Sequence, residues 1–379
     1  MAKMTKKQSK GAVIIFSTAY LPLASGAELA IQEVADRITD FNFFLLTCRM
    51  DRRYSARERI GNIEVRRLGV GVPILDKLLA PALGMYEARR IMRTVDVSLF
   101  WGVMVSYMTL APVLLKRWRL HKRIPFLLTL QEGDSEDYLR HARAGLIGFS
   151  WRLALRHADQ VHAISMYLSH LARYFGYIRP VKVIPNGVAT DIFTPRVRAT
   201  SGHVVITTSR LVKKNGIDIL IRSIAEVEKR YPDVMCRIIG DGVERGRLEM
   251  LAHDLGLSGK ILFCGALPFS SISKELATAD VFVRPSRSEG LGTSFLEAMA
   301  AGLPVVATQV GGIEDFLSDG VTGLFANIDD AHDVAEKIML LFANPELRAS
   351  LVSTARARVV ESYSWDRVAS QMEAIMKEL

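Results

Sequence analysis

Two glutamates eight residues apart, Glu289 and Glu297, flank a Gly-x-Gly turn in the stretch "SEGLGTSFLEAMAAG", Ser288 to Gly302. Such a pair could do acid–base work. Alternatively, each carboxylate could accept two hydrogen bonds side by side from the vicinal hydroxyls of a sugar. The apolar run "DVFVRPS" precedes the stretch and "LPVVAT" follows it, so it reads as strand, Gly-rich loop and helix. The helix is expected to start near Thr293 and to end at Gly302 and Pro304. Backbone N–H groups at such a start, together with the helix dipole, favour an anion. Gly290 and Gly292 have no Cβ to hold a ligand away from the backbone. In this arrangement the glutamates clamp two sugars at opposite ends of a nucleotide diphosphate, with backbone amides between them. Taken alone, the stretch reads equally as an acidic helix start behind a packing turn.

Three other stretches carry complementary chemistry. "TSRLVKKNGIDILIRSI" sets Arg210, Lys213 and Lys214 in a loop between a strand and an amphipathic helix, where cations neutralise a diphosphate. "IIGDGVERGRLEM" makes a second strand-to-glycine turn at Gly240 and Gly242. "STAYLPLASGAELA" places Gly26 before a helix beginning near Glu28, an anion-ready N-terminus in the other half of the chain. After the run "FLLTL" stand Gln131 and an acidic loop of Glu132, Asp134, Glu136 and Asp137, of which Glu132 is the best candidate for an acceptor or sugar contact. His157, His162 and His170 are spaced by five and eight residues across an expected strand, which does not bring three rings to one face, so no metal is expected.

The elements that position these residues alternate. Short β-branched runs and amphipathic helical runs follow one another along the 379 residues, the pattern of parallel sheets covered on both faces. Strands are expected at "VIIFS", "FFLLT", "VDVSLF", "FLLTL", "VHAI" and "VKVI", then at "HVVITT", "MCRIIG", "ILFCG", "DVFVRPS", "PVVAT" and "TGLFA". A turn-rich segment over 186–202 separates two doubly wound α/β domains, 1–185 and 203–363, with a final helix over 364–379. That length exceeds what one hydrophobic core supports. The basic start followed by an apolar run imitates a secretory signal, but Val13 to Ser17 with the loop after it describes a first buried strand better. No apolar run approaches the roughly 20 residues of a spanning helix. Cys48, Cys236 and Cys264, odd in number and scattered, argue against a disulfide framework or zinc site and point to the cytoplasm. Residues 1–200 hold 30 Lys and Arg against 16 Asp and Glu, and residues 201–379 hold 19 against 24. The first half, at +14, is suited to an anionic surface. Its basic runs "EARRIMRT" and "LLKRWRLHKR" suggest lipid headgroups, and no base-reading motif accompanies the charge to suggest nucleic acid.

The order of these motifs resembles the retaining nucleotide-sugar glycosyltransferases of family 4, which have the GT-B fold. The resemblance rests on "SGAE" at Ser25, "VIPNGV" with "DIFTP" at Val183 to Pro195, "SRLVKKNG" at Ser209, "GDG" at Gly240, "EGLGTSFLEAMAAGLPVVAT" from Glu289 and "GGIEDFLSDGVTGLF" from Gly311. It implies two Rossmann-like domains facing across a cleft, the acceptor in the first and the donor in the second, a terminal helix crossing back to the first, and no metal or other cofactor. Carried over, Glu289 contacts the transferred sugar and Glu297 the donor ribose. The backbone of Gly290, Leu291, Gly292, Thr293 and Ser294 holds sugar and phosphate, Arg210 with Lys214 binds the diphosphate, and the base is read near "GALPF", around Leu267. Two positions depart from the family. Asn215 stands where the family often has the lysine before Gly216, and Gln131 with Glu132 stand where a His-Asp or similar pair is common.

The expected reaction is transfer of a hexosyl unit from a UDP- or GDP-sugar to a glycan or lipid-linked acceptor, at the inner membrane face. A nucleotide-sugar 2-epimerase shares the two-domain cleft but needs no acceptor, and a catalytically weak sugar-nucleotide-binding relative is the rival from outside the enzymes. A nicotinamide dehydrogenase fits less well, because "GLGTSF" lacks the third glycine of the dinucleotide fingerprint.

Overall fold

The computed structural model describes residues 11–23, 26–118, 120–121, 123–142, 145–195 and 203–379. These residues form two compact units. The first runs to Glu132, resumes over Glu136–Pro185 and adds Asp366–Leu379; the second comprises Gly133–Ser135 and Asn186–Trp365.

In the first unit the chain runs β1 (Gly11–Phe16), α1 (Gly26–Arg37), β2 (Phe41–Cys48), β3 (Arg57–Ile60), β4 (Ile63–Leu68), α2 (Pro73–Met92), β5 (Val97–Val103), α3 (Leu110–Arg117), β6 (Phe126–Leu130), α4 (Glu136–His141), α5 (Leu146–His157), β7 (Gln160–Ala163), α6 (Met166–Tyr174) and β8 (Lys182–Val183). The strands pair in the order β3-β4-β2-β1-β5-β6-β7-β8. All neighbours are parallel except the β3–β4 pair. The apolar run at Val13 is thus a central strand. From Ala12 to Phe16, and along all of Phe126–Leu130, every residue is buried, as a parallel strand covered on both faces requires.

The β3–β4 hairpin is an addition to the expected strands. Gly61 and Asn62 make its two-residue turn, with Gly61 at φ +54°, and Arg57, Glu58 and Arg59 charge the sheet edge against further pairing. Its charge density hides it from an apolar-run search, although β4 alternates buried and half-buried positions with period two.

The second unit continues with β9 (Val204–Thr208), α7 (Ile217–Arg230), β10 (Met235–Ile239), α8 (Arg245–Asp254), β11 (Ile261–Gly265), α9 (Phe269–Leu276), β12 (Val281–Arg284), α10 (Thr293–Ala300), β13 (Val305–Thr308), β14 (Leu324–Ala326), α11 (Ala331–Ala343) and α12 (Pro345–Ser362). Its six strands are parallel, in the order β11-β10-β9-β12-β13-β14. Leu220, Ile224 and Val227 of α7 pack with Val205, Val281, Val306 and Ile338 in the core between sheet and helices. The order of connection reverses between β9 and β12, and in open α/β sheets the carboxyl ends of the strands at such a reversal are where ligands bind.

The last helix, α13 (Trp365–Glu378), belongs to the first unit from Asp366 onward. Arg37 reaches Asp366 at 2.8 Å, Lys377 reaches Asp40 at 2.6 Å and Lys182 reaches Glu378 at 3.0 Å. These are exposed pairs worth little singly; Val368, Met372, Ile375 and Met376, all buried, hold the helix down.

Candidate functional site

The two loops that leave the sheet at its reversal point, after β9 and after β12, carry Arg210, Lys214, Glu289 and the start of α10. They are tied to each other through the backbone and Arg287. The Arg287 amide donates to the Lys214 carbonyl at 2.7 Å, and its guanidinium donates to the Lys213 carbonyl at 2.6 Å. The same guanidinium grips Asp218, at the start of α7, through two bonds of 3.0 and 2.9 Å. Such a bidentate fork fixes geometry as well as charge.

Asn215 completes the first loop. Its buried side chain donates to the Arg210 carbonyl at 2.7 Å, closing the 3₁₀ turn Lys213–Asn215 on itself. Asn215 therefore shapes the loop, and the ammonium of Lys214 lies 2.9 Å from Asp134. The Arg210 side chain is exposed, and among the described residues its guanidinium makes no hydrogen bond or ion pair.

Beyond the second loop, Gly292 caps α10 in the left-handed region at φ +87°. The helix starts at Thr293, as expected, and a glycine caps it because the chain must turn sharply to bring the helix start under the loop. Leu291 is buried beneath, Glu289 and Gly290 precede it, and the Glu289 carbonyl accepts from the Gly312 amide at 3.2 Å. Gly240 lies at the carboxyl end of β10, where a Cβ would stand 1.8 Å from the Ser209 carbonyl oxygen at a backbone φ of +134°. Its lack of side chain serves the contact between neighbouring loops. Gly240→Ala is expected to lower stability by about 1–3 kcal/mol or more, read as a fall in the urea midpoint.

The residue that sequence reasoning missed is Arg284. It ends β12, buried, and one Nη donates to Glu289 Oε2 at 2.6 Å. The other donates to Ser294 Oγ at 2.7 Å and to the Thr208 carbonyl at 3.3 Å, and the guanidinium lies 4.3 Å from the Phe295 ring centroid. One side chain thus joins the ends of β9 and β12, the first glutamate and the first turn of α10. Its Nε has no hydrogen-bond partner among the described residues. Burial lowers its pKa, which Glu289 and then Glu297 offset. A buried charge left partly unsatisfied is expensive and is found where it has a task. The sequence signal was an arginine inside the apolar run "VFVR".

The two glutamates differ in state. Glu289 is anchored, with its second oxygen accepting from the Gly290 amide at 3.1 Å. Glu297, one turn into α10, makes no hydrogen bond to another described side chain. Although part of the residue meets solvent, its carboxyl lies deep enough that burial raises its pKa to about 7, against the pull of Arg284. A carboxyl whose folded pKa lies above its unfolded one, here about 7 against about 4.5, favours folding below the unfolded value; that contribution is lost as pH rises through the folded one. Wild type is therefore expected to lose stability from pH 5 to pH 8 relative to Glu297→Gln, by at most about 1.4 kcal/mol per pH unit across that window, in paired thermal melts.

The remaining expected residues lie elsewhere. Leu267 is half-buried in the loop after β11. Gly26 begins α1 in the first unit, while Ser25 falls outside the described residues. In that unit Glu132 is buried, and its carboxylate already accepts from the Val105 amide at 2.5 Å and the Gln131 amide at 2.9 Å. Its expected role as a sugar contact must contend with those two amides; Gln131 beside it is half-buried. His162 sits in the core, bonded to Thr129 Oγ1 at 3.0 Å and the Ile184 carbonyl at 2.8 Å, and burial lowers its pKa to about 4. Among the described residues no group of three or more His, Cys, Asp or Glu side chains could hold a metal, and no helix is long and apolar enough to cross a membrane.

Comparison with known proteins gives two adjoining family matches. The family described as Glycosyltransferase Family 4 matches residues 24–192, and that described as Glycosyl transferases group 1 matches residues 190–358. A GDP-mannose-dependent alpha-(1-6)-phosphatidylinositol monomannoside mannosyltransferase of Mycolicibacterium smegmatis is 34% identical over 236 residues, 56% of this chain and 62% of that protein. The match thus spans under two thirds of that relative's length. An uncharacterized glycosyltransferase of Methanocaldococcus jannaschii is 26% identical over 97% of this chain and 98% of its own length. Among solved structures, a sucrose-phosphate synthase from Thermosynechococcus elongatus superimposes with a TM-score of 0.87 at 21% identity, covering 97% of this chain and 98% of that one.

Proposed function

This chain belongs to the group 1 glycosyltransferases of Family 4, and on that premise we propose that it is a retaining, metal-independent hexosyltransferase. It takes its sugar from a UDP- or GDP-sugar and passes it to a glycan or lipid-linked acceptor at the cytoplasmic face of a membrane. GDP is put first of the two nucleotides, because the similar mycobacterial enzyme is described as GDP-mannose-dependent. The observation that carries the reading is the junction of β9 and β12. There an exposed arginine, a half-buried lysine, the start of a helix behind a Gly-x-Gly turn and two carboxylates in different states share one sheet reversal.

Breaking an anomeric bond develops positive charge on the sugar and negative charge on the departing diphosphate. Arg210, Lys214 and the amides at the start of α10 face the second of these. The diphosphate takes Lys214 from Asp134, which now holds it. Glu289, kept in place by Arg284, accepts from hydroxyls of the transferred sugar, and Glu297 from the ribose. Retention places the acceptor on the leaving-group face, with a diphosphate oxygen taking its proton, so neither glutamate is needed as a base and the two-carboxylate scheme of glycoside hydrolases does not apply. No metal or cofactor enters this scheme.

The test is nucleotide release from GDP-mannose and UDP-glucose, with and without a membrane lipid extract as acceptor. Release that depends on acceptor, with sugar appearing in the lipid fraction, supports transfer. Change of the donor sugar without acceptor would assign an epimerase instead.

A further inference from the structure

Two helices on one face of the first sheet share an unusual pattern. α2 packs on α3 and α3 on α5, so the three form one layer. α2 follows the carboxyl end of β4, and α5 follows that of β6 after the short α4; each leads back to the amino end of the next parallel strand, so their N-terminal turns lie toward the carboxyl end of the sheet. There the outward positions are large and apolar. Ile74 is 77% exposed and Leu78 65%, flanked by Val70, Val72, Leu75 and Leu79; on α5, Leu146 is 63% exposed and Phe149 61%. Toward their C-terminal ends both helices turn basic on exposed positions, Arg89 and Arg90 on α2 and Arg152 and Arg156 on α5. Fold stability does not require this: the same helices bury Ala80, Ala88 and Ile91, or Trp151 and Leu155, on their inner faces. A soluble surface rarely gathers so many large apolar side chains along one rim.

We propose that this face docks on an anionic lipid bilayer, with the first turns of α2 and α5 set into the boundary between headgroups and acyl chains and the arginines behind them on the headgroups. The occupant is chosen by the pairing of apolar rim and basic rear, the arrangement by which amphipathic helices hold anionic membranes. It is reinforced by the +14 balance of residues 1–200. The proposal rests on the reading of the acceptor as lipid-linked, and assigns the membrane contact to side chains other than the basic runs alone. Within those runs part of the charge is engaged internally, since Lys116 pairs with Asp159 and Arg90 lies 3.7 Å from Glu87.

Flotation of the full chain with phosphatidylcholine vesicles, with and without about one third phosphatidylglycerol, at about 0.1 and 0.5 M salt tests it. Wild type should float with the anionic vesicles, less so at the higher salt. Leu78→Ser with Phe149→Ser should reduce the floated fraction roughly tenfold at low salt. Arg89→Ala with Arg156→Ala should remove the preference for phosphatidylglycerol. Thermal melts verify folding, and Ile74→Ser with Leu146→Ser is the second apolar pair should the first unfold. Wild type remaining in the soluble fraction throughout, or both apolar pairs floating like wild type, would overturn the proposal. So would a wild-type dimer in sedimentation that the apolar substitutions dissolve, since that assigns the face to a second copy. Nucleotide-sugar binding measured on the same preparations separates failure here from failure of the transferase reading.

Discussion

Glu289→Gln is expected to lower turnover by about two to three orders of magnitude while costing less stability than Glu289→Ala. The choice of glutamine follows from Arg284. Alanine at 289 would leave a buried guanidinium with neither its counter-charge nor the acceptor for its 2.6 Å bond, a change that costs about 3–5 kcal/mol in comparable buried pairs. Lost activity and lost fold would then be confounded. Glutamine keeps a carbonyl oxygen for the 2.6 Å bond from Arg284 and the size of the side chain, and removes only the charge and one strong acceptor. If Glu289 contacts the transferred sugar, the loss falls on kcat more than on KM, because the hydroxyl contact strengthens as the sugar gains positive charge. Turnover unchanged in Glu289→Gln would refute its assignment.

The second large effect belongs to Arg284, as a positioning residue. Arg284→Met fills the site and stacks on Phe295 while deleting the bonds to Glu289, Ser294 and the Thr208 carbonyl. Removing one partner of a buried pair ordinarily costs about 3–5 kcal/mol, but Glu289, at 17% side-chain exposure, retains access to water, so the loss of stability is expected to be smaller than that. Turnover should nevertheless fall about 10- to 100-fold, because a glutamate free to rotate no longer presents its oxygens at one place. Arg284→Lys should recover only part of it, since an ammonium cannot span Glu289 and Ser294 as a fork does. A double-mutant cycle with Glu289→Gln separates the roles: positioning predicts that the two losses are far from additive. A role confined to folding predicts a lower melting temperature with kcat unchanged in the folded fraction.

Most of the fold was legible because parallel strands buried on both faces are written as continuous apolar runs. "FLLTL" is a strand of the structure, and "VIIFS" and "HVVITT" lie in strands but for Ser17 and His203 at their ends. The β3–β4 hairpin was not, because an edge strand of Arg, Glu, Arg and Ile has no such run, and only the Gly61–Asn62 turn announced it. The strand-to-helix turn at Gly292 could be read from a loop that joins strand to helix through glycine. What escaped was which charges are engaged. Arg284 stands in an apolar run and looks like a flaw in a strand, yet it is the hub on which Glu289 and Ser294 depend. Glu132, in a loop that looks solvated, is buried and held by two amides. Asn215 looked like a lost lysine, and its side chain instead closes the loop that carries Arg210. Arg284 reaches the Thr208 carbonyl and Glu132 the Val105 amide, pairings between residues distant in the chain that spacing does not encode, whereas the Asn215 bond to Arg210 is local and depends on a loop conformation that residue types alone do not fix.

Calorimetric titration of GDP-mannose and UDP-glucose into wild type and Arg210→Ala tests the central claim most directly. One of the two should bind wild type at a single site per chain, and Arg210→Ala should weaken that binding by about tenfold or more, the loss of one charge-assisted contact to a diphosphate. Absence of binding by either donor, or equal affinity in wild type and Arg210→Ala, would contradict the placement of a nucleotide-sugar diphosphate at the β9–β12 reversal.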